Sequence, residues 1–360
     1  MKIVLVTDAW QPQSHGVVTA LMALVRQLVC MGHDVQVIQP GQFLTRRCPG
    51  FRDIALAIRP GPQMARLLDQ ADADAIHIAT EGPLGWAARR HCLHRGWPFT
   101  TAFHTPFPEI LQSALGLPLS WGYAVLKRFH AASHGLMVPS ASVQAMLAQR
   151  GFKKLLPWTQ GVDTRLFAMS DVPAELPSLG PLARPISLCV GRIAADKNIE
   201  DFLSLDIPGS KLVCGQGPLE ESLRARYPNV HWLGMLPRHE LAKVYATADV
   251  LVFPARSDTF GLVMLEAMSC GVPVAAYPVN GPRELLGEGA GGAMDEDLHE
   301  AWRVALRTPR RSARQRALQY SWGQTAALFV GHLVPLRRGA RETVTGSLTG
   351  LSRKRHAAVE

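Results

Sequence analysis

Two acidic residues, Asp258 and Glu266, are separated by seven residues in a run whose other members suit anion binding: Pro254-Ala-Arg-Ser-Asp258-Thr-Phe260-Gly261-Leu262-Val-Met-Leu-Glu266-Ala-Met-Ser-Cys-Gly271-Val-Pro273. The run follows the strand-like stretch Asp249–Phe253. Its pattern predicts a loop and then a helix from about Gly261 to Ser269, stopped by Gly271-Val-Pro273. Asp258 would precede the helix N-terminus and Glu266 would lie on the helix. Backbone N–H groups of Phe260, Gly261 and Leu262 would point out of that terminus, where the helix dipole favours negative charge. Gly261 would let a phosphate come close, and Leu262, Val263, Leu265 and Met268 would be the packing face. The spacing alone fits equally well an amphipathic helix with one capping Asp and one solvated Glu.

A second constellation is cationic. Gly191-Arg192-Ile-Ala-Ala-Asp-Lys197-Asn follows the strand-like Ile186–Val190, so it reads as a strand-to-helix turn carrying two positive charges. A planar guanidinium fork and an ammonium point charge together suit a diphosphate whose charge grows as a leaving group departs. A third turn, Trp10-Gln-Pro-Gln-Ser-His15-Gly16, follows the first strand and opens a helix; Gly16 there would allow close backbone approach to phosphates. Asp8, just before it, could orient a hydroxyl or could cap the turn.

The elements that must hold these residues alternate strand and helix throughout. Strands are predicted at Ile3–Thr7, Asp34–Gln39, Ala75–Ala79, Phe99–Phe103, Gly135–Pro139 and Lys154–Trp158, with helices such as Val17–Cys30 and Gln63–Gln70 between them. After the Pro-rich residues 168–185 the alternation restarts: Ile186–Val190, Lys211–Cys214, Val230–Leu233 and Val250–Phe253 are strands, with helices at Ile199–Leu205, Leu219–Arg226 and Leu241–Thr247. Such alternation predicts α/β domains with parallel sheets covered by helices on both faces. The expected organisation is an N-terminal Rossmann-like domain (1–167), a linker (168–185) and a C-terminal Rossmann-like domain (186–320), followed by a helix (321–336) and a basic, disordered tail (337–360).

Composition sets further bounds. The 360 residues are 47% hydrophobic and 19% charged, enough for a large core. Six cysteines without metal spacing, three of them in apolar runs, point to reduced thiols in a cytoplasmic protein. The net charge of +9 is uneven: residues 1–167 hold 16 Lys/Arg against 9 Asp/Glu, whereas residues 168–336 hold 16 against 18. A basic first half suggests an anionic partner surface. Residues 106–134 interleave Leu111, Leu115, Leu117, Leu119, Trp121, Tyr123, Leu126 and Phe129 with Lys127, Arg128 and several histidines. That pattern suits a helix lying on a bilayer, or an ordinary core helix pair.

Taken in order, these motifs resemble the retaining glycosyltransferases of the GT-B fold, family 4 (group 1), over roughly residues 2–335. In that family the acidic pair is usually two Glu, so Asp258 is one methylene shorter than the pattern. The resemblance implies two doubly wound Rossmann-like domains with a donor cleft between them, the first (1–167) on the acceptor side, the second (186–320) binding the nucleotide-sugar, and the helix at 321–336 crossing back to the first domain. It places Asp258 at the hydroxyls of the transferred sugar, the Phe260-Gly261-Leu262 backbone on the diphosphate and Glu266 on the ribose. Arg192 and Lys197 become the diphosphate-binding cations, Gly16 part of the first phosphate loop, and Met235 and Leu236 neighbours of the nucleobase. His104, in Thr101-Ala-Phe-His104-Thr-Pro, would stand beside the transferred sugar and the acceptor. Ile78-Ala-Thr80-Glu81-Gly82-Pro-Leu-Gly85 resembles a subset described as GDP-mannose-dependent mannosyltransferases or lipid glycosyltransferases, and puts Glu81 with Asp8 on the acceptor side. Gln160-Gly161-Val162-Asp163 and Cys214-Gly215-Gln-Gly217-Pro match two further turns of the family.

What the resemblance implies in function is transfer of a hexose, mannose from GDP-mannose, to a hydroxyl of a lipid or lipid-linked glycan. The enzyme would be cytoplasmic and peripheral on the inner face of the cell membrane, docked to its anionic surface through the basic first domain. No cofactor or metal is expected, and Asp69-Gln-Ala-Asp72-Ala-Asp74 reads as a solvated loop. A UDP-sugar-dependent glycolipid transferase is the alternative within enzymes. From another class, a nucleic-acid- or dinucleotide-binding Rossmann protein is disfavoured. No G-x-G-x-x-G follows the first strand, and no nucleic-acid-binding module accompanies the basic excess.

Overall fold

The computed structural model describes residues 1–13, 16–48, 51–109, 112, 116–170, 180–256 and 260–336. Asp258, Leu111, Leu115 and the expected disordered tail lie outside the described residues, as do residues 171–179 of the linker.

Strands β1 (Lys2–Val6), β2 (Asp34–Ile38), β5 (Ala75–Ile78), β6 (Thr100–Ala102), β7 (Leu136–Val138) and β8 (Leu155–Pro157) form one sheet in the order β2-β1-β5-β6-β7-β8. Every pairing in it is parallel. Alternate residues along β1 enter different cores: Val4 and Val6 join Ile76 and Ile78, while Ile3 and Leu5 join Ala75. A sheet buried on both faces needs that near-continuous apolar sequence. Helices α1 (Gly16–Cys30), α2 (Gly61–Gln70), α3 (Pro83–Arg95), α4 (Leu119–His130) and α5 (Ala141–Gln149) connect the strands. A hairpin of β3 (Thr45–Cys48) and β4 (Phe51–Ala57) stands outside the main sheet. It is absent from the sequence reading because Thr45-Arg-Arg-Cys carries no apolar alternation to reveal it.

The second sheet has the order β11-β10-β9-β12-β13-β14, again parallel throughout. Its strands are β9 (Ile186–Val190), β10 (Ser210–Cys214), β11 (His231–Gly234), β12 (Val250–Phe253), β13 (Val274–Ala276) and β14 (Gly292–Met294). The connecting helices are α6 (Ile199–Leu203), α7 (Glu220–Arg226), α8 (Arg238–Thr247), α9 (Leu262–Ser269) and α10 (Asn280–Leu286); α11 (Leu298–Ala305) and α12 (Arg310–Ala317) follow β14. Leu188 and Leu251 enter one core, Cys189, Val250 and Val252 the other.

Strand order reverses direction between β1 and β5 in the first sheet and between β9 and β12 in the second. Crevices open at such points, outside the carboxyl ends of the strands, and ligands bind there. The two carboxyl ends face each other. The N-terminus of α5, which follows β7, meets that of α10, which follows β13: Ala141 N–H donates to Glu284 Oε2 at 3.2 Å and Ser142 Oγ lies 3.5 Å from Asn280 O. The last helix, α13 (Trp322–His332), returns to the first domain. Its Ala326, Phe329 and Leu333 pack with Ile3, Leu5, Leu21 and Trp158, and Trp158 Nε1 donates to Thr325 O at 3.1 Å. Gly161 makes the return possible: a Cβ there would lie 2.5 Å from Trp322 N.

Candidate functional site

Arg192 leaves the carboxyl end of β9 on a turn held by close backbone approach. A Cβ at Gly215 would stand 1.9 Å from Gly191 O, and one at Gly217 would stand 2.2 Å from Ile193 O. The glycines of Cys214-Gly215-Gln-Gly217 therefore fix the cationic turn, with Ile193 N–H bonded to Gln216 O at 3.0 Å. Asp196 draws the two cations together: its Oδ1 is 2.7 Å from Arg192 Nη2 and its Oδ2 3.9 Å from Lys197 Nζ. The pair stays partly exposed, at 41% and 28% of the side chain.

Across the switch point, β12 leads into residues 254–261. The helix begins at Leu262 rather than Gly261, because Gly261 is the N-cap with φ +88°, a left-handed conformation that favours glycine. Phe260 is buried, and Gly281 lets its carbonyl come within 2.9 Å of where a Cβ would be. The helix is more deeply buried than one packing face requires: Met264 to Ser269 are all enclosed, whereas Leu262 and Val263 are half-buried. Glu266 is thus a carboxylate inside the protein. Tyr245 OH donates to its Oε2 at 3.2 Å, and Arg238 Nη1 lies 3.1 Å from its Oε1. Burial pushes its pKa above the ordinary carboxylate value, against the opposing effects of Arg238 and Tyr245. Arg238 also covers the ring of Phe167, its Cζ 4.9 Å from the centroid. It opens α8 directly after the Leu233–Pro237 segment, in which Met235 is half exposed and Leu236 half-buried. Arg238 and Tyr245 escape the sequence reading. Arg238 lies three residues past Met235 and could have been found by proximity; Tyr245 reads as one more apolar helix position.

In the first domain Gly16 opens α1, exposed and with nothing within 4 Å of a Cβ built on it. Asp8, at the end of β1, is 7% exposed and caps α3. Its Oδ1 accepts from Leu84 N–H at 2.9 Å, and its Oδ2 accepts from Thr80 Oγ1 at 2.9 Å and Gly85 N–H at 3.3 Å. A Cβ at Gly82 would fall 2.4 Å from the Asp8 carboxyl carbon, which accounts for Gly82 in the Glu81–Gly85 motif. Of the two uses open to Asp8, the structure displays capping. Burial raises its pKa to about 6, the bonds from Leu84, Thr80 and Gly85 opposing and the charge of Glu81 adding to the rise. Glu81 follows β5, with Oε1 3.2 Å from His130 Nε2. His104, two residues past β6, is buried edge-on to Trp158 with ring centroids 5.6 Å apart. Through Trp158 and its bond to Thr325, α13 supports the His104 ring.

Asp69 pairs with His91 and Arg95 at 2.9 and 2.6 Å, and Asp74 Oδ2 accepts from Lys2 N–H at 2.7 Å. Among the described residues no group of three or more His, Cys, Asp and Glu could hold a metal. Five cysteines are free thiols, four of them buried, and burial pushes Cys189 up to about 12 and Cys214 to about 11.

Each parallel sheet thus carries charged side chains beyond the carboxyl ends of its strands, Arg192, Lys197 and Glu266 in the second and Asp8 and Glu81 in the first, and the comparisons with known proteins place the chain in a family. The family described as Glycosyltransferase Family 4 matches residues 14–166, and Glycosyl transferases group 1 matches residues 177–308. The chain belongs to these glycosyltransferases and has their GT-B fold. A GDP-mannose-dependent alpha-mannosyltransferase of Mycolicibacterium smegmatis is 28% identical over 92% of this chain and 96% of its own length. Sulfoquinovosyl transferase SQD2 of Arabidopsis thaliana is 28% identical over 73% of this chain and 57% of its own. Among solved structures, sucrose-phosphate synthase of Thermosynechococcus elongatus superposes with a TM-score of 0.72, at 20% identity, over 92% of this chain and 97% of that one.

The raised pKa of Asp8 has a definite sign. The folded state holds the proton more tightly than the unfolded one, so the contribution of Asp8 to stability falls as pH rises from about 4 to about 6 and is flat above. In Asp8→Asn that contribution disappears; comparing urea unfolding of the two chains at pH 4, 5, 6 and 7 measures it.

Proposed function

We propose that this chain is a retaining, metal-independent mannosyltransferase that uses GDP-mannose and acts on a hydroxyl of a lipid or lipid-linked glycan. The observation that carries the reading is the pairing of Arg192 and Lys197 at the β9 switch point with the Gly261 helix N-terminus across from it. Relatives along nearly the whole chain that bear the name GDP-mannose-dependent alpha-mannosyltransferase support the nucleotide and the sugar.

The diphosphate lies between Arg192, Lys197 and the N–H groups of residues 260–262, with Gly16 approaching from the first domain. Glu266 receives the ribose hydroxyls. Tyr245 and Arg238 already hold its oxygens, so the carboxylate is oriented before the nucleotide arrives. Met235 and Leu236 border the base. Asp258 meets the sugar hydroxyls, and His104 lines the sugar and acceptor side. As the bond from the anomeric carbon to the diphosphate oxygen breaks, negative charge builds on the diphosphate and the two cations stabilise it. The acceptor oxygen bonds to the same face of that carbon, and its proton passes to the departing diphosphate. No side chain in the site is placed as a covalent nucleophile in this scheme. Closure of the two domains keeps water from competing with the acceptor.

The runner-up, a UDP-sugar-dependent glycolipid transferase, is favoured by the sulfoquinovosyl transferase relative. Thermal unfolding with GDP, UDP, ADP, GDP-mannose and UDP-glucose in EDTA separates the two. A ligand at a hundred times its Kd stabilises by about 2.7 kcal/mol. GDP species alone should raise Tm, and UDP species alone would favour the runner-up. Arg192→Ala should lower kcat by about 10²–10³; an unchanged kcat would remove Arg192 from the leaving-group site.

For the acceptor we propose docking of the first domain on an anionic bilayer. Among the described residues no helix is long and apolar enough to cross a membrane. Helix α4 buries Tyr123, Leu126 and Phe129 but exposes Trp121, Val125, Lys127 and Arg128, so it serves both alternatives left open for this segment. Each basic side chain near anionic lipid contributes about 1 kcal/mol. Co-sedimentation should follow phosphatidylglycerol content and weaken in Trp121→Ser; equal binding to neutral vesicles would contradict it.

A further inference from the structure

Beside Asp8 stands a second acidic group that the donor chemistry leaves unused. The Glu81 side chain is only 7% exposed, and its Oε1 faces His130 Nε2. His130 is the last residue of α4 and its side chain is 2% exposed. Its Nδ1 is 3.0 Å from Thr101 Oγ1, and Phe129 lies edge-on at 5.0 Å between centroids. Both imidazole nitrogens are therefore engaged and the ring cannot turn without losing a bond. Thr101 belongs to β6, three residues before His104, so the His130–Glu81 pair borders the same carboxyl ends as the histidine of the sugar site.

The surroundings restrict what can approach Glu81. The N-terminus of α3, where an anion would otherwise settle, is filled from within by Asp8, which uses the N–H groups of Leu84 and Gly85. Glu81 lies near enough to Asp8 for its charge to act on that carboxyl. Two acidic groups at one crevice, with the helix terminus already occupied, repel phosphate. An ionised carboxylate is acceptor-only, so its oxygens take O–H or N–H donors, as Oε1 does from His130. Across the cleft the opposite holds, with Arg192 and Lys197 attracting anions.

We propose that Glu81 receives a hydroxyl of the acceptor, that His130 is the residue that positions it, and that the part of the acceptor seated at the first switch point is an uncharged polyol such as a sugar ring. This deepens the transferase reading and rests on it, since that reading assigns the first domain to the acceptor.

The test uses the full chain, with and without GDP, and ligand-observed NMR titration of methyl α-D-mannopyranoside, methyl α-D-glucopyranoside and their 6-phosphates. A neutral glycoside should bind, and its phosphate should bind at least about tenfold more weakly. Glu81→Gln keeps the shape but replaces the acceptor oxygen or its charge, and should weaken glycoside binding about tenfold, the usual scale for a hydrogen bond to a charged group. His130→Ala should weaken it similarly. His130→Gln, whose amide N–H can still donate to Glu81, should restore most of it, which loss of folding or of packing would not. The GDP-induced rise in Tm should persist in all three variants and certifies that they are folded. Absence of glycoside binding to the parent chain, equal or tighter binding of the phosphates, or a Glu81→Gln titration indistinguishable from the parent would overturn the proposal. Failure of GDP to stabilise the parent would contradict the donor reading instead, while the titrations without GDP would still decide the role of Glu81.

Discussion

A carboxylate taken out of water has to be met by donors or by a cation, and both halves of this molecule are built round that requirement. In the second domain Glu266 sits within an almost wholly enclosed helix and is met by Tyr245 and Arg238. In the first domain Asp8 is met by Thr80 and by two N–H groups of α3. Neither arrangement is cheap in sequence. Glycine at 82 is needed beside Asp8, and a tyrosine and an arginine from α8 are needed beside Glu266. Each fixes the loops next to a switch point, where the proposed chemistry is placed.

The outcome is a division of charge across the cleft. The β9 side presents Arg192 and Lys197, gathered by Asp196, while the β1–β5 side presents Asp8 and Glu81. Two like cations would spread apart if Asp196 did not lie between them, so its carboxylate holds them ready at the cost of part of their charge. A nucleotide sugar is itself divided, anionic at the diphosphate and neutral at the hexose. In the donor arrangement proposed above, the field of the cleft orients it before any specific contact forms, the diphosphate toward the second domain. The contact of α5 with α10 closes the cleft at one side, and α13 ties the second domain's chain back to Trp158 and so to His104.

The alternation of strand and helix was legible in the sequence, because strands covered on both faces must be apolar throughout, as in Ile3–Val6 and Val250–Phe253. Arg192 was legible because it follows such a strand at once. The β3–β4 hairpin was not, since Thr45-Arg-Arg-Cys has no alternation. The partners of Glu266 were not, since Tyr245 and Arg238 come from another helix and only the packing of α8 on α9 brings them near. The capping role of Asp8 stood as one of two readings; what decides it is Leu84 and Gly85, more than seventy residues away in the chain. The partners of Glu266 and of Asp8 are long-range consequences of topology, which local pattern does not carry.

The central claim, transfer of mannose with retention, is most directly tested on the donor alone, with water as the acceptor. Proton NMR of the anomeric region during slow hydrolysis of GDP-α-D-mannose, read before mutarotation, reports which anomer leaves the enzyme first. The account predicts α-mannose at the earliest time points, at a rate lowered in Arg192→Ala. Initial release of β-mannose would contradict front-face substitution, and hydrolysis unaffected by Arg192→Ala would contradict the leaving-group site assigned here.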